Sequence, residues 1–191
     1  MRDKQSYYKL KANENEKNAK DNITYYVPSR NQSKIKNQNQ KIHTSDTTKR
    51  KNVSENDQVT LELGLGYRHY HVACMGVVLT GPEINDRHLK MHKTSVIALD
   101  AVQAALRPGT TVGELFDIYK ATLEEHNEHD AVLTVAGYTM GAMWPPTWME
   151  EPLIFEGNPL VLEENMTFFT HMILNDRKTG LSMAVGETAI I

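Results

Sequence analysis

The segment AGYTMGAMWPPTWMEEP (136–152) gathers Tyr138, Trp144 and Trp148 with Met140, Met143 and Met149 between glycines and glutamates. Large flat rings and polarizable thioethers make a soft apolar surface of the kind that lines ligand pockets. Pro145-Pro146 stiffens the chain that carries it. Gly and Pro interrupt the stretch too often for a helix or a strand, so it reads as a loop. A hydrophobic plug or a subunit interface would use the same residue types, and composition alone does not choose between pocket and interface.

Other candidate chemistry is thinner. In RHYH (68–71), His69 and His71 stand at i and i+2, on one face of a strand, where two imidazoles could share a metal ion. A site needs three or four ligands, and no neighbouring Cys or carboxylate spacing completes one, so a hydrogen-bonded or surface pair is the simpler reading. Cys74 lies on a predicted strand without a helix N-terminus or basic neighbour to favour the thiolate, and reads as a small buried hydrophobe. Phosphate-binding glycine motifs and a G-x-S-x-G elbow are absent, and the only serines after residue 57 are Ser95 and Ser182, which excludes the common nucleotide-binding and serine-hydrolase plans.

The elements that must position these residues follow from periodicity. Residues 59–65 (VTLELGL) alternate as a strand, and 66–81 continue as a second, with Val72, Cys74, Val77 and Leu79 available for burial. From Glu83 the period lengthens: Leu89, His92, Val96, Leu99, Val102 and Leu106 mark one face of a long helix that ends at Arg107-Pro108-Gly109. TVGE (111–114) is a capping-box signature opening a second helix with Leu115, Ile118, Thr122 and Leu123 inward. Residues 131–135 read as a short strand. Residues 166–174 and 181–191 read as two more strands, joined by a hairpin turn through 175–180. The fold class is α+β, with helices packed on a curved antiparallel sheet.

Charge divides the chain. Residues 1–57 hold 13 Lys+Arg against 7 Asp+Glu, whereas 58–191 hold 8 against 17. The first 57 residues include nine Asn and few aliphatic side chains, too little apolar surface to offset ordering entropy, and are expected to be a disordered extension. Their lysines are interleaved with acids and amides rather than clustered, so no nucleic-acid partner is expected. No apolar run approaches the ~20 residues of a membrane span, and the first residues carry no apolar signal core. One cysteine fits a reducing compartment, with cytoplasm as the default.

Taken in order, ELGLGYRHYHVACMGVVLTGPE, a long helix to LRPGTTVGELF, then GYTMG…PP, MTFF and GETAII resemble the pita-bread superfamily over residues 59–191. That superfamily includes methionine aminopeptidase, Xaa-Pro dipeptidase, creatinase and ectoine hydrolase. RHYHVACMGVVLTG is similar to the creatinase-like strand, and GYTMGAMWPPTW to the corresponding loop of ectoine hydrolases. The resemblance implies a partial creatinase/aminopeptidase-like domain over 58–191, shorter than a full pita-bread domain, as in a truncated copy.

The metallopeptidases of this family hold two metal ions with two Asp, one His and two Glu. Without gaps from Gly81, Glu62 falls at the first Asp and Ala73 at the second. Tyr138 takes the place of the His, His171 falls near the first Glu, and the last falls at Gly186, followed by Glu187. A different register, starting from Gly66-Tyr67, would put His69 at the second Asp. Ala and Gly offer no donor and neutral Tyr a poor one, so the resemblance points to the metal-free creatinase and ectoine hydrolase branch, with no metal and no cofactor. It implies Glu62 and His171 as acid–base residues cleaving a C–N bond of a small polar nitrogenous substrate, with Tyr138, Trp144 and Trp148 holding that substrate. Two other readings stand beside it. One is an inactive binding module that forms a homodimer through the aromatic loop, and the other is an Xaa-Pro metallopeptidase with atypical ligands.

Overall fold

The computed structural model describes residues 24–25, 55–143 and 147–191. Seven antiparallel strands form one sheet in the order β1-β2-β3-β7-β6-β4-β5. They are β1 (Thr24–Tyr25), β2 (Gln58–Tyr67), β3 (Tyr70–Leu79), β4 (Gly137–Thr139), β5 (Glu150–Leu153), β6 (Thr167–Asp176) and β7 (Leu181–Ile190). Helices α1 (Asp86–Ala105) and α2 (Val112–Glu125) follow β3, and α1 packs on β6 and β7. The expected α+β plan, helices on an antiparallel sheet, is the one observed. Thr24 and Tyr25 pair with Gly64 and Leu63 at the edge of the sheet, and they are the only described residues before Glu55.

Local chemistry explains the helix ends. Asn85 caps α1, its side-chain oxygen accepting from Arg87 N–H at 2.8 Å. The capping box of α2 is formed: Thr111 Oγ1 accepts from Glu114 N–H at 3.2 Å, and Glu114 Oε2 accepts from Thr111 N–H at 2.6 Å. Gly109, at φ +92, supplies the left-handed turn between the helices.

Several sequence expectations shift. The reversal between β2 and β3 falls at Arg68-His69, both at positive φ (50 and 71), so His69 is a turn residue and does not share a strand face with His71. In β3 the buried residues are Ala73 and Met75, with Val77 packed on the same face as expected, while Val72 and Cys74 are exposed, so only the first half of the strand is one residue out of phase with the expected face. The cause is the partner strand: Ala73 and Met75 pair with Gly64 and Glu62, and those four share a covered face. Along α1 the buried residues are His88, Met91, Thr94, Ser95, Ala98, Leu99 and Val102, whereas Leu89 is exposed. The buried stripe carries the small residues Thr94, Ser95 and Ala98 and leaves Leu89 outside. Residues 131–135 are not a strand; a short 3₁₀ turn (His129–Ala131) precedes β4, which forms where β6 offers a pairing edge.

The sheet has two covered faces. On one, α1 and α2 bury Met91, Val102, Leu115, Tyr119 and Leu123 against Phe168, Met172, Leu174 and Met183. On the other, Ala73, Met75, Tyr138, Met140, Trp148, Phe169 and Ala184 form a second cluster. Each large side chain fully buried in this way stabilises the fold by about 1.5–3 kcal/mol. A partly buried ion network ties α1 to the segment after α2 and to the end of β6. Glu128 takes both terminal nitrogens of Arg87, one at 2.6 Å, and Arg87 Nε reaches Asp176 Oδ2 at 2.7 Å.

Candidate functional site

Alternation along the strands decides which side chains meet. Glu62 and Gly64 of β2, Ala73 and Met75 of β3, Phe169 and His171 of β6, and Ala184 and Gly186 of β7 belong to the face away from the helices. Tyr138, on β4, pairs with Phe169 and projects into the same cluster. The segment read as a loop is therefore partly strand: Tyr138 lies on β4, and Trp148 sits just before β5.

A directed hydrogen-bond chain crosses this face. Trp148 Nε1–H donates to Tyr138 Oη at 2.9 Å, and Tyr138 Oη–H donates to Glu62 Oε1 at 3.3 Å. All three residues are buried, at 7%, 5% and 4% exposure, so the chain is enclosed rather than solvated. The Tyr138 ring also lies 5.3 Å from Phe169 and 5.6 Å from His171. Enclosure pushes the Glu62 carboxyl up to about 7, and the Tyr138 hydroxyl draws it partway back. Enclosure pushes the His171 imidazole down to about 4, and its Nδ1 has no hydrogen-bond partner among the described residues. Near neutral pH the face thus holds a neutral imidazole and a carboxyl balanced between its two forms.

The sequence-derived residues fare differently. Glu62, His171, Tyr138 and Trp148 come together, joined by the contacts above. Trp144 lies outside the described residues. Trp148 and Tyr138 are more enclosed than a loop surface would allow. Sequence reading missed Phe169, which forms a triangle of rings with Tyr138 and His171, and Gly64, whose missing side chain makes room for Trp148. A Cβ on Gly64 would stand 2.7 Å from the indole. His71 has a supporting role: its backbone N–H donates to Gly141 O at 2.9 Å, tying the β2–β3 hairpin to the segment after β4. Cys74 is exposed, contrary to expectation, but partial enclosure of the thiol, with Glu187 and Glu62 nearby, pushes its pKa up. It is no more a nucleophile than the sequence suggested.

A dinuclear metal centre does not fit these residues. Among the described residues, no group of three or more His, Cys, Asp or Glu is placed to hold a metal ion. The five positions that the resemblance suggested, Glu62, Ala73, Tyr138, His171 and Gly186, lie on this one face, and Ala73 and Gly186 offer no donor atom. Gly186 cannot be bypassed by Glu187, because successive strand residues face opposite sides. His69, in the exposed turn, does not replace Ala73.

The chain is 26% identical over 127 residues to uncharacterized hydrolase/peptidase y4tL of Sinorhizobium fredii (strain NBRC 101917 / NGR234), covering 65% of this chain and 30% of that protein. Its fold is similar to prolidase from Pyrococcus furiosus, with TM-score 0.67 and 21% identity over 78% of this chain and 42% of that one. It is also similar to methionine aminopeptidase from Rickettsia prowazekii, with TM-score 0.56 and 16% identity over 71% and 59% of the two chains. The chain therefore spans less than half the length of the first two proteins and has the pita-bread fold over the part it shares. No helix among the described residues is long and apolar enough to cross a membrane. The family model for metallopeptidase family M24 matches residues 8–190, and the chain belongs to that family.

Proposed function

We propose that this chain is a hydrolytic domain that cleaves a C–N bond of a small polar nitrogenous molecule by side-chain acid–base chemistry, without a dinuclear metal centre. The observation that carries the reading is the pairing of Glu62 and His171 on one enclosed face, with pKa values displaced in opposite directions. Two titratable groups pushed apart in this way can divide the roles of proton donor and acceptor. His171 Nδ1 takes a proton from a water molecule as its oxygen bonds to the substrate carbon. The protonated Glu62 gives its proton to the departing nitrogen as the C–N bond breaks. Transfer of the proton from His171 back to Glu62, through solvent, resets the pair. Tyr138, Phe169 and Trp148 form the aromatic wall that would face a cationic or amidine-like group.

The test is turnover by purified protein of ectoine-, creatine- and Xaa-Pro-type compounds, with and without chelator, beside Glu62→Gln and His171→Gln. Chelator-insensitive turnover lost in both variants supports the reading. Turnover that requires added Mn²⁺ or Co²⁺, or none on any of these classes, removes it. We also propose that the protein acts in the cytoplasm.

A second reading, a self-associating module without turnover, draws on a different observation. Leu65, Tyr67, Tyr70 and Val72 are exposed together on the β2–β3 hairpin. This differs from dimerisation through the aromatic loop, because Tyr138, Met140 and Trp148 are buried within the chain itself. Sedimentation showing a monomer at micromolar concentration would discard it.

A further inference from the structure

We propose that the bare apolar part of the sheet, formed by Leu65, Tyr67, Tyr70 and Val72 of the β2–β3 hairpin, is the docking surface for residues 8–23 of the same chain, with Tyr8, Leu10 and Ile23 as the apolar contacts. The inference stands apart from the hydrolytic reading. It gives to the chain's own N-terminal segment the surface that self-association would use.

The helix side of the sheet is covered unequally. Helix α1 packs on β6 and β7, and Met183 and Val185 of β7 are buried there. Cys74 of β3 stands opposite Glu187, two residues beyond Val185, so the same side continues onto β3 and β2. By alternation it there presents Leu65 and Tyr67 beside Tyr70, Val72, Cys74 and Val78. Tyr67 and Tyr70 are 71% and 69% exposed, and Leu65, Val72 and Val78 are exposed as well. A contiguous apolar patch of this kind marks a surface that another segment covers.

Chain direction selects the occupant. Strand β1 runs antiparallel to β2, with Thr24 opposite Gly64 and Tyr25 opposite Leu63. The chain before Thr24 therefore reaches the sheet from the end that carries Leu65 and Tyr67. The family match begins at residue 8, so this segment lies inside the matched region. A stretch of its length spans up to about 50 Å when extended, more than the roughly 33 Å of a ten-residue strand. Its large apolar side chains, Tyr8, Leu10 and Ile23, are too few for a core of their own but suit a surface already formed. Tethering then favours this segment over a second copy. A segment joined so closely meets the face at an effective concentration in the millimolar range, about a thousandfold above a second copy at micromolar protein.

Tyr70→p-benzoylphenylalanine in the full chain puts a photo-crosslinker on this face. Irradiation of mixed unlabelled and ¹⁵N-labelled protein, followed by mass spectrometry, maps what it touches. Crosslinks to residues 8–23 within one chain are expected. Crosslinks joining labelled to unlabelled chains, or none to residues 8–23, overturn the proposal. A second measurement uses Cys74, the chain's single cysteine, which is exposed on the same face. Its alkylation should be slow and independent of protein concentration. The triple variant Tyr8→Ser/Leu10→Ser/Ile23→Ser should speed it by about tenfold, as the docked segment loses its apolar contacts. Equal rates in the two proteins, or protection that grows with protein concentration, also overturn the proposal. The crosslinking needs no N-terminal variant, so it decides the matter even if the triple variant fails to fold. Neither measurement uses a substrate, and both stand if the hydrolytic reading fails.

Discussion

His171 stands directly opposite Gly186 in the β6–β7 ladder, and a Cβ built on Gly186 would lie 3.1 Å from the Cβ of His171. The same atom would be 2.9 Å from Phe169 Cζ and 3.0 Å from the carbonyl oxygen of Thr170. The ladder thus sets a buried imidazole directly beside a position that has no room for a side chain.

Gly186→Glu is therefore expected to cost stability rather than to rebuild a metal site. The Thr170 carbonyl belongs to the strand and cannot move aside, so even Gly186→Ala should cost about 1–3 kcal/mol. Urea titration measures this, and calorimetry with Mn²⁺ measures any binding gained by the glutamate variant. A glutamate variant as stable as the wild type would show that the ladder has more room than the contacts indicate.

The opposed pKa values predict a compensated pH dependence of stability. Glu62 is raised from 4.5 to about 7, so the folded state binds the extra proton, and its contribution is lost as pH rises through that window. His171 is lowered from 6.5 to about 4, so the unfolded state binds the extra proton, and stability is lost as pH falls through that window. Between about 4.5 and 6.5 the two slopes oppose. Glu62→Gln should be more stable than wild type above pH 7, by up to about 3 kcal/mol. His171→Gln should gain relative to wild type below pH 5. Chemical denaturation of the three proteins across this range decides the matter, and parallel curves would contradict both shifts.

Removing Arg87 should be among the most damaging single changes in the helix layer. The Glu128 side chain is 1% exposed and depends on Arg87, with Lys90 Nζ at 3.3 Å as a second cation. Burial alone would raise the Glu128 carboxyl, but Arg87 and Lys90 hold it below its ordinary value. Arg87→Met leaves a buried carboxylate short of its main partner, at about 3–5 kcal/mol. Adding Glu128→Gln should recover much of that loss. A thermal-melt double-mutant cycle reads the coupling.

Thr111→Ala removes one half of the α2 capping box and should cost about 1 kcal/mol. Glu114→Gln should cost less, because an amide oxygen still accepts from Thr111 N–H. Equal losses in the two variants would argue that Thr111 acts through packing instead.

Much of this protein is legible without coordinates because it depends on neighbours in the chain. The capping box at Thr111 and Glu114, the helix break at Pro108-Gly109 and the strands around 175–180 are all local events, governed by propensity and backbone geometry. The ordered motifs over residues 59–191 also suffice to indicate the family, and through it the choice of Glu62 and His171. Tertiary structure decided what local pattern could not. The inward phase of the first half of β3 was set by Gly64 and Glu62 on the partner strand, since a one-residue change of phase turns every side chain over. The buried face of α1, with Thr94, Ser95 and Ala98 inside and Leu89 outside, was set by packing on β6 and β7. The chain from Trp148 through Tyr138 to Glu62 joins residues 76 and 10 positions apart. No local pattern reports such a link, because hydrogen bonds and burial, which set the proton affinities of Glu62 and His171, arise only when strands distant in sequence share one face.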